Sequence, residues 1–265
     1  LNRHYIENDE DALKIGPLTL SSRLILGTGG APSHRVISET ITASGAEMVT
    51  VAIRRFDPTL RDGSIFEELA KLSVHVLPNT AGCFGARDAV LTAELGREAL
   101  QTDLVKVEVI SDQDTLLPDP LELARATEEL VKRGFYVFAY TNDDPALASH
   151  LANLGATAVM PLGSPIGSGL GILNPHNIEL IAERIECPVV LDAGIGCASD
   201  AAFAMELGCD AVLAASAITR AKVPKSMARS ISMAVRAGRL SYLSGRIPRR
   251  RLAQASTTDE GKPFT

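Results

Sequence analysis

The chain has 265 residues, of which 46% are hydrophobic and 22% charged, and its formal net charge is −6. That length suits one large α/β domain or two small ones, with the composition of an ordinary soluble globular protein. The acidic balance argues against a general nucleic-acid surface, and no apolar run reaches the roughly 18 residues of a membrane span.

The N-terminal stretch "LNRHYIENDEDALKIG" is polar and acidic, without the basic start and apolar centre of a signal peptide. A polar extension to about residue 13 and a cytoplasmic location are expected. A rhythm of short apolar runs bounded by turn residues follows. They are "LILG" (24–27), "EMVTVAI" (47–53), "VHVLPN" (74–79), "LVKVEVI" (104–110), "YVFAY" (136–140), "AVMPLG" (158–163), "PVVLDAG" (188–194) and "AVLAAS" (211–216). Each reads as a strand, because β-branched residues dominate a run of strand length.

Helical segments lie between them. Asp119, Pro120 and Glu122 offer an N-cap, a first-turn proline and a third-position glutamate, and Gly134 offers the stop. Asp144-Pro145 and Asn174-Pro175 repeat the start signal. Gly45, Gly155 and Gly208 each end a helix and lead into the next strand through "GAEMV", "GATAV" and "GCDAV". Eight strand-then-helix units predict a single (β/α)8 barrel with parallel strands, whose functional residues cluster at the C-terminal mouth. A doubly wound open sheet fits less well, since "LGTGGAP" (26–32) does not make G-x-G-x-x-G. From about residue 245 to residue 265 a basic, polar tail is expected, with Arg249, Arg250 and Arg251 as its strongest charge run.

Within "LVKVEVI", alternation puts Val105, Val107 and Val109 on one face and Lys106 and Glu108 on the other. Three valines suit the helix-facing side, so Lys106 and Glu108 are expected to point into the barrel near its mouth. A buried lysine with a lowered pKa is an amine nucleophile toward ketones, and a nearby carboxylate moves protons. Asp192, at the end of the seventh run, adds a second carboxylate. A space-filling Lys–Glu pair is the bland reading, but such pairs add little stability.

After the sixth run comes "PLGSPIGSGLGI" (161–172), after the seventh "DAGIG" (192–196), and the eighth ends in "AAS" (214–216). Bare backbone N–H groups in such loops bind phosphate at the late strands of barrels, without lysine or arginine. A phosphorylated carbonyl compound is therefore the expected substrate class. Thr28, Arg54, Arg55, Asn79 and Thr80 also fall at strand ends and read as rim residues. The scattered histidines suggest no histidine catalysis. The four cysteines, Cys83, Cys187, Cys197 and Cys209, form no C-x-x-C and no zinc spacing, so reduced thiols and no metal are expected.

The stretches "SRLILGTGG" (22–30), "VAIRR" (51–55), "LPNTAGC" (77–83), "VKVEVISDQDTLLPDP" (105–120), "MPLGSPIGSGLGI" (160–172), "NPHNI" (174–178), "VVLDAGIG" (189–196) and "GRIPRR" with "AQAS" (245–256) together resemble bacterial thiazole synthase of thiamine biosynthesis. The resemblance implies a barrel that condenses 1-deoxy-D-xylulose 5-phosphate, dehydroglycine (2-iminoacetate) and sulfur from a carrier-protein thiocarboxylate. It implies an imine on Lys106, proton transfer by Glu108 and Asp192, and no metal or nicotinamide cofactor. It implies sugar-phosphate contacts at Gly167, Ala193, Gly194, Ala215 and Ser216, and a homo-oligomer. Ala215-Ser216 departs from the Asn-Thr of many members, which removes an asparagine amide contact. A class I aldolase and a non-catalytic phosphate-binding barrel are the alternatives.

Overall fold

A computed structural model of the chain describes residues 11–55 and 65–256. The expected N-terminal extension over 1–10, the side chain of Arg55 and the end of the tail (257–265) lie outside these residues.

The described chain opens with an element that the strand count above lacks. β1 (Leu13–Ile15) and β2 (Leu18–Leu20) pair antiparallel through a two-residue turn at Gly16-Pro17, with Gly16 at φ 56°. Glycine tolerates that left-handed position, and proline cannot continue the ladder. "LKIGPLTL" alternates apolar and polar residues around this turn, so the signal is present but only three residues long on each side.

Eight parallel strands follow: β3 (Leu24–Gly27), β4 (Met48–Ala52), β5 (His75–Asn79), β6 (Leu104–Val107), β7 (Tyr136–Thr141), β8 (Ala158–Pro161), β9 (Val190–Asp192) and β10 (Ala211–Ala214). Their order is β8-β7-β6-β5-β4-β3-β10-β9. The parallel bridges Val159–Val189 and Leu162–Asp192 join the two ends and close the barrel. The helices are α1 (His34–Ser44), α2 (Ile65–Lys71), α3 (Ala86–Leu100), α4 (Pro120–Lys132), α5 (Pro145–Asn153), α6 (Pro175–Arg184), α7 (Ala198–Glu206), the single turn α8 (Ser216–Thr219) and α9 (Pro224–Ser244). The fold is a TIM barrel, and no helix among the described residues is long and apolar enough to cross a membrane.

Strand alternation sorts the apolar residues into two layers. Val105, Val107, Val137, Ala139 and Val159 pack outward against the helices. Ile25, Met48, Leu104, Phe138 and Val190 fill the barrel, and Leu13, Ile15 and Leu20 of the hairpin join that inner cluster. These inner residues lie early in their strands, so the hairpin closes the N-terminal end. The opposite end stays open.

The helix signals hold at most positions. Asp119 accepts from Leu121 and Glu122 N–H, and Asp144 accepts from Ala146 and Leu147 N–H. Gly45, Gly155 and Gly208 all take positive φ. Glu122 departs from the expected capping box. Its Oε2 accepts the backbone N–H of Ala86, 2.8 Å away, at the start of α3. Gly85 gives that helix no side-chain cap, and a carboxylate at a helix N-terminus is favoured by the exposed N–H groups.

The strand expected over 104–110 also breaks. Its regular pairing stops at Val107, and Val109 and Ile110 make only isolated bridges, to Cys83 and Pro118. Between them Thr80 replaces a backbone partner. Its hydroxyl donates to Glu108 O and accepts from Glu108 N–H, both at 2.9 Å.

If the hairpin is a structural plug, Ile15→Ala, at a side chain 1% exposed, is expected to cost about 2–5 kcal/mol. Urea denaturation measures this; a loss under about 0.5 kcal/mol, the level of ordinary surface changes, would show that the plug is dispensable.

Candidate active site

Three charged side chains converge where the barrel interior changes from apolar to polar. Going up β6, Leu104 belongs to the inner cluster, and Lys106 and Glu108 follow on the same face. Lys106 pairs in register with Asn79 of β5, whose side-chain oxygen accepts the N–H of Ala81. Asp192 ends β9 and enters from across the barrel. Lys106 Nζ lies 2.9 Å from Glu108 Oε1 and 2.5 Å from Asp192 Oδ2. The three residues are only 4%, 6% and 3% exposed. Asp192 Oδ2 has no aligned hydrogen-bond donor, so its contact with the ammonium is chiefly coulombic.

Sequence reasoning expected burial to lower the lysine pKa; the geometry reverses this. Burial does pull it down and is the largest single influence, but Asp192 and Glu108 together outweigh it, leaving the ammonium above the ordinary lysine value. Asp192 shifts upward as well. Its burial is the main cause, Glu108 adds to it, and Lys106 opposes it. The resting arrangement is thus a cation clasped by two carboxylates, one of which holds a proton more readily than usual.

Tyr140 was not singled out by the sequence reading. It is fully buried, its ring centroid is 5.3 Å from Lys106 Nζ, and its hydroxyl is 3.4 Å from Leu116 O. A cation at that distance is attracted by the ring face. The same alternation that turned Lys106 inward, applied to "YVFAY", would have found it beside Phe138.

Lys106, Glu108 and Asp192 line an open cavity of about 600 Å³ at the C-terminal mouth. Gly167, Ala193, Gly194, Ala215 and Ser216, the residues expected on a phosphate, line it too. Gly167, Ala193 and Gly194 adopt φ of 75°, 68° and 85°. Ala193 and Gly194 form a tight left-handed turn directly after Asp192, and the Ala193 backbone N–H bonds to the Asp192 carboxylate. The loops after β8 and β9 are tied together: Gly171 N–H donates to Gly194 O at 2.8 Å, and Ser164 Oγ donates to Gly171 O at 2.9 Å. A methyl group on Gly194 would meet Ser164 Oγ at 2.3 Å, so the close approach requires glycine.

Arginine was not expected here, yet Arg220 Nη1 would lie 3.5 Å from a Cβ placed on Gly167. Its position four residues after Ser216, past the single turn of α8, is the signal that was passed over. Among the described residues, no group of three His, Cys, Asp or Glu side chains is disposed to hold a metal ion. The cysteines are free thiols, and burial pushes Cys209 up to about 12.

Lys106→Met would leave two buried carboxylates facing each other, at an expected cost of about 3–5 kcal/mol. A carboxyl whose folded pKa is raised contributes stability below its unfolded pKa and loses it as pH rises through the folded value. The deficit in urea melts should therefore be largest near neutral pH and shrink toward about pH 4; a pH-independent deficit would contradict the coupling.

The chain is similar to several known proteins. The crystal structure of the BexX/CysO complex of Amycolatopsis orientalis superposes with a TM-score of 0.81 at 31% identity, covering 91% of this chain and 98% of that one. Thiamine phosphate pyrophosphorylase of Pyrococcus furiosus (TM-score 0.55, 14% identity, covering 82% of this chain and 96% of that one) shares the fold alone. So does the native KDPGal structure (TM-score 0.55, 16% identity, with the same coverages of 82% and 96%). Residues 14–258 match the family described as thiazole biosynthesis protein ThiG, and the chain belongs to that family.

Proposed function

We propose that the protein is a thiazole synthase that joins 1-deoxy-D-xylulose 5-phosphate, 2-iminoacetate and carrier-borne sulfur into the thiazole phosphate carboxylate of thiamine. The observation that carries this reading is the placement of Lys106 between Glu108 and Asp192 in a cavity whose opposite wall is the left-handed glycine–alanine cradle. Family membership supplies the chemistry in which such an amine is used.

The proposed substrate lies with its phosphate against the N–H groups around Gly167, Ala193 and Gly194 and the hydroxyl of Ser216. Backbone donors satisfy a phosphate in place of the asparagine side chain that Ala215 lacks. The ketone carbon then faces Lys106. Because the resting lysine is an ammonium, a proton must leave before attack. Asp192 is its acceptor, since burial already raises its affinity for protons. The neutral amine adds to the carbonyl, Asp192 or Glu108 protonates the hydroxyl, and water leaves to give the imine. That cationic imine acidifies the adjacent C–H bond, and the second carboxylate removes the proton so that the carbonyl migrates along the chain. The thiocarboxylate sulfur then adds to the migrated carbonyl, and the carrier acyl group passes from sulfur to the new hydroxyl. The carrier leaves as its carboxylate with that oxygen, and 2-iminoacetate closes the ring with loss of water. A protein as sulfur donor accords with BexX, a relative whose structure contains a second protein, CysO.

Incubation with 1-deoxy-D-xylulose 5-phosphate and borohydride is expected to give a reduced adduct that mass spectrometry locates on Lys106. Lys106→Met should abolish it. Trapping in that variant, or no adduct in the wild type, would refute the imine. Release of an aldehyde from the sugar phosphate alone would favour an aldolase. Asp192→Asn is expected to slow imine formation by about 10²–10⁴-fold, measured as the rate of trapping; an unchanged rate would remove Asp192 from the proton path.

A further inference from the structure

The cavity has a second charged end. Arg54 follows β4 on the single 3-10 turn Ile53–Arg55 and lines the cavity beside Asn79, Ala81 and Gly82. In the barrel order, β4 stands opposite β8 and β5 opposite β9. Arg54 therefore faces the phosphate cradle from the far wall, with Lys106 of β6 between.

Among the described residues lining the cavity, Arg54 and Lys106 are the only cations. Lys106 is already clasped by two carboxylates. Arg54 makes no ion pair or hydrogen bond with another described residue. The loop across from it is shaped to its guanidinium. Gly82 has φ 93°, and a Cβ there would lie 2.7 Å from Arg54 Nη1. The positive φ favours glycine at position 82, and the missing side chain leaves space for the guanidinium against that backbone.

From this arrangement we infer that Arg54 forms a carboxylate subsite, which receives the acid group of the second reactant while the sugar phosphate occupies the cradle opposite. The inference rests on the thiazole synthase reading and adds a residue to it. Both remaining reactants carry the required chemistry: a small imino acid ends in a carboxylate, and the sulfur donor ends in a thiocarboxylate. Arg54 is exposed, so a ligand can reach its guanidinium fork, which matches such a planar two-atom anion. The cavity volume of about 600 Å³ falls within the range filled by drug-sized ligands, leaving room beside a five-carbon phosphate. Charge supports the assignment too. Two carboxylates and one ammonium already occupy the cavity, so a further anion needs a cation of its own.

Either source has a way in. A second cavity, also about 600 Å³, shares Arg54, Ala81 and Gly82 with the first and is lined further by Cys83, Thr92 and Leu95. Arg54 thus stands in the partition between the mouth and a side approach. A small acid reaches it from the mouth, and a chain terminus from either direction.

The test uses the complete reaction with Arg54→Met and Arg54→Lys. Product formation is followed while 2-iminoacetate, generated from glyoxylate and ammonia, is varied at saturating carrier thiocarboxylate, and then the reverse. Borohydride trapping with the sugar phosphate alone runs in parallel. Arg54→Met is expected to raise KM for one of the two acids about 10-fold or more, with trapping at the wild-type yield and Arg54→Lys intermediate. A rise for 2-iminoacetate alone assigns the subsite to the small acid, and a rise for the carrier alone assigns it to the thiocarboxylate terminus. KM values within twofold of wild type for both acids overturn the inference. So does loss of trapping in Arg54→Met, which would place Arg54 on the sugar phosphate instead. Absence of trapping in the wild type strikes the underlying imine reading and is distinguishable from both.

Discussion

The interaction on which the site depends is the burial of one ammonium between two carboxylates. Isolated, each charge would carry several kcal/mol of desolvation cost in the barrel interior. Together they are tolerable only in close geometry, which fixes the rotamers of Lys106, Glu108 and Asp192 and the relative placement of β6 and β9. Thr80 contributes from the position that follows β5. By taking both backbone hydrogen bonds of Glu108, it bends the end of β6 out of the regular ladder while keeping the backbone satisfied. The barrel stops being a regular sheet where its interior stops being apolar.

The same constraint explains the asymmetry between the two ends of the barrel. At the N-terminal end the hairpin side chains Leu13, Ile15 and Leu20 join the inner cluster and exclude water. Asp11 below them is held by Arg239 and Arg23, chiefly through its hydrogen bonds to Arg239, which keep its carboxyl below the usual range. That link fastens the hairpin to both β3 and α9. A dry, anchored floor lowers the local dielectric beneath Lys106 and strengthens the electrostatic coupling above it. At the mouth, by contrast, the loops after β8 and β9 are held close by glycine contacts.

Much of this was legible in the sequence, because the signals are periodic. Eight runs of β-branched residues, helix stops at Gly45, Gly155 and Gly208, and N-caps at Asp119 and Asp144 each act locally, so a linear reading finds them. Lys106 and Glu108 were legible because alternation fixes a face once three valines mark the other. Three things were not legible, and each depends on distance in space. The short β1–β2 hairpin is stabilised by the barrel floor rather than by its own length. Glu122 caps a neighbouring helix, α3, rather than its own. The direction of the Lys106 shift turned on Asp192, 86 positions along the chain but 2.5 Å away, and alternation within one strand carries no information about the opposite wall.

For the proposed phosphate, backbone donors are compatible with the central ion cluster. A lysine or arginine placed inside the cavity beside Gly194 would compete with Lys106 for Asp192, and a carboxylate paired with it would be held ionised and less able to take a proton. Backbone N–H groups carry only partial charge, so they hold an anion without drawing a carboxylate away from the amine. They also need no side-chain ordering when the ligand arrives. The left-handed turns at Gly167, Ala193 and Gly194 put the required strain into the folded loop before any ligand binds, where glycine bears it at little cost and Ala193 at more. Arg220 brings full cationic charge near Gly167 but makes no ion pair with Glu108 or Asp192, whose partner is Lys106.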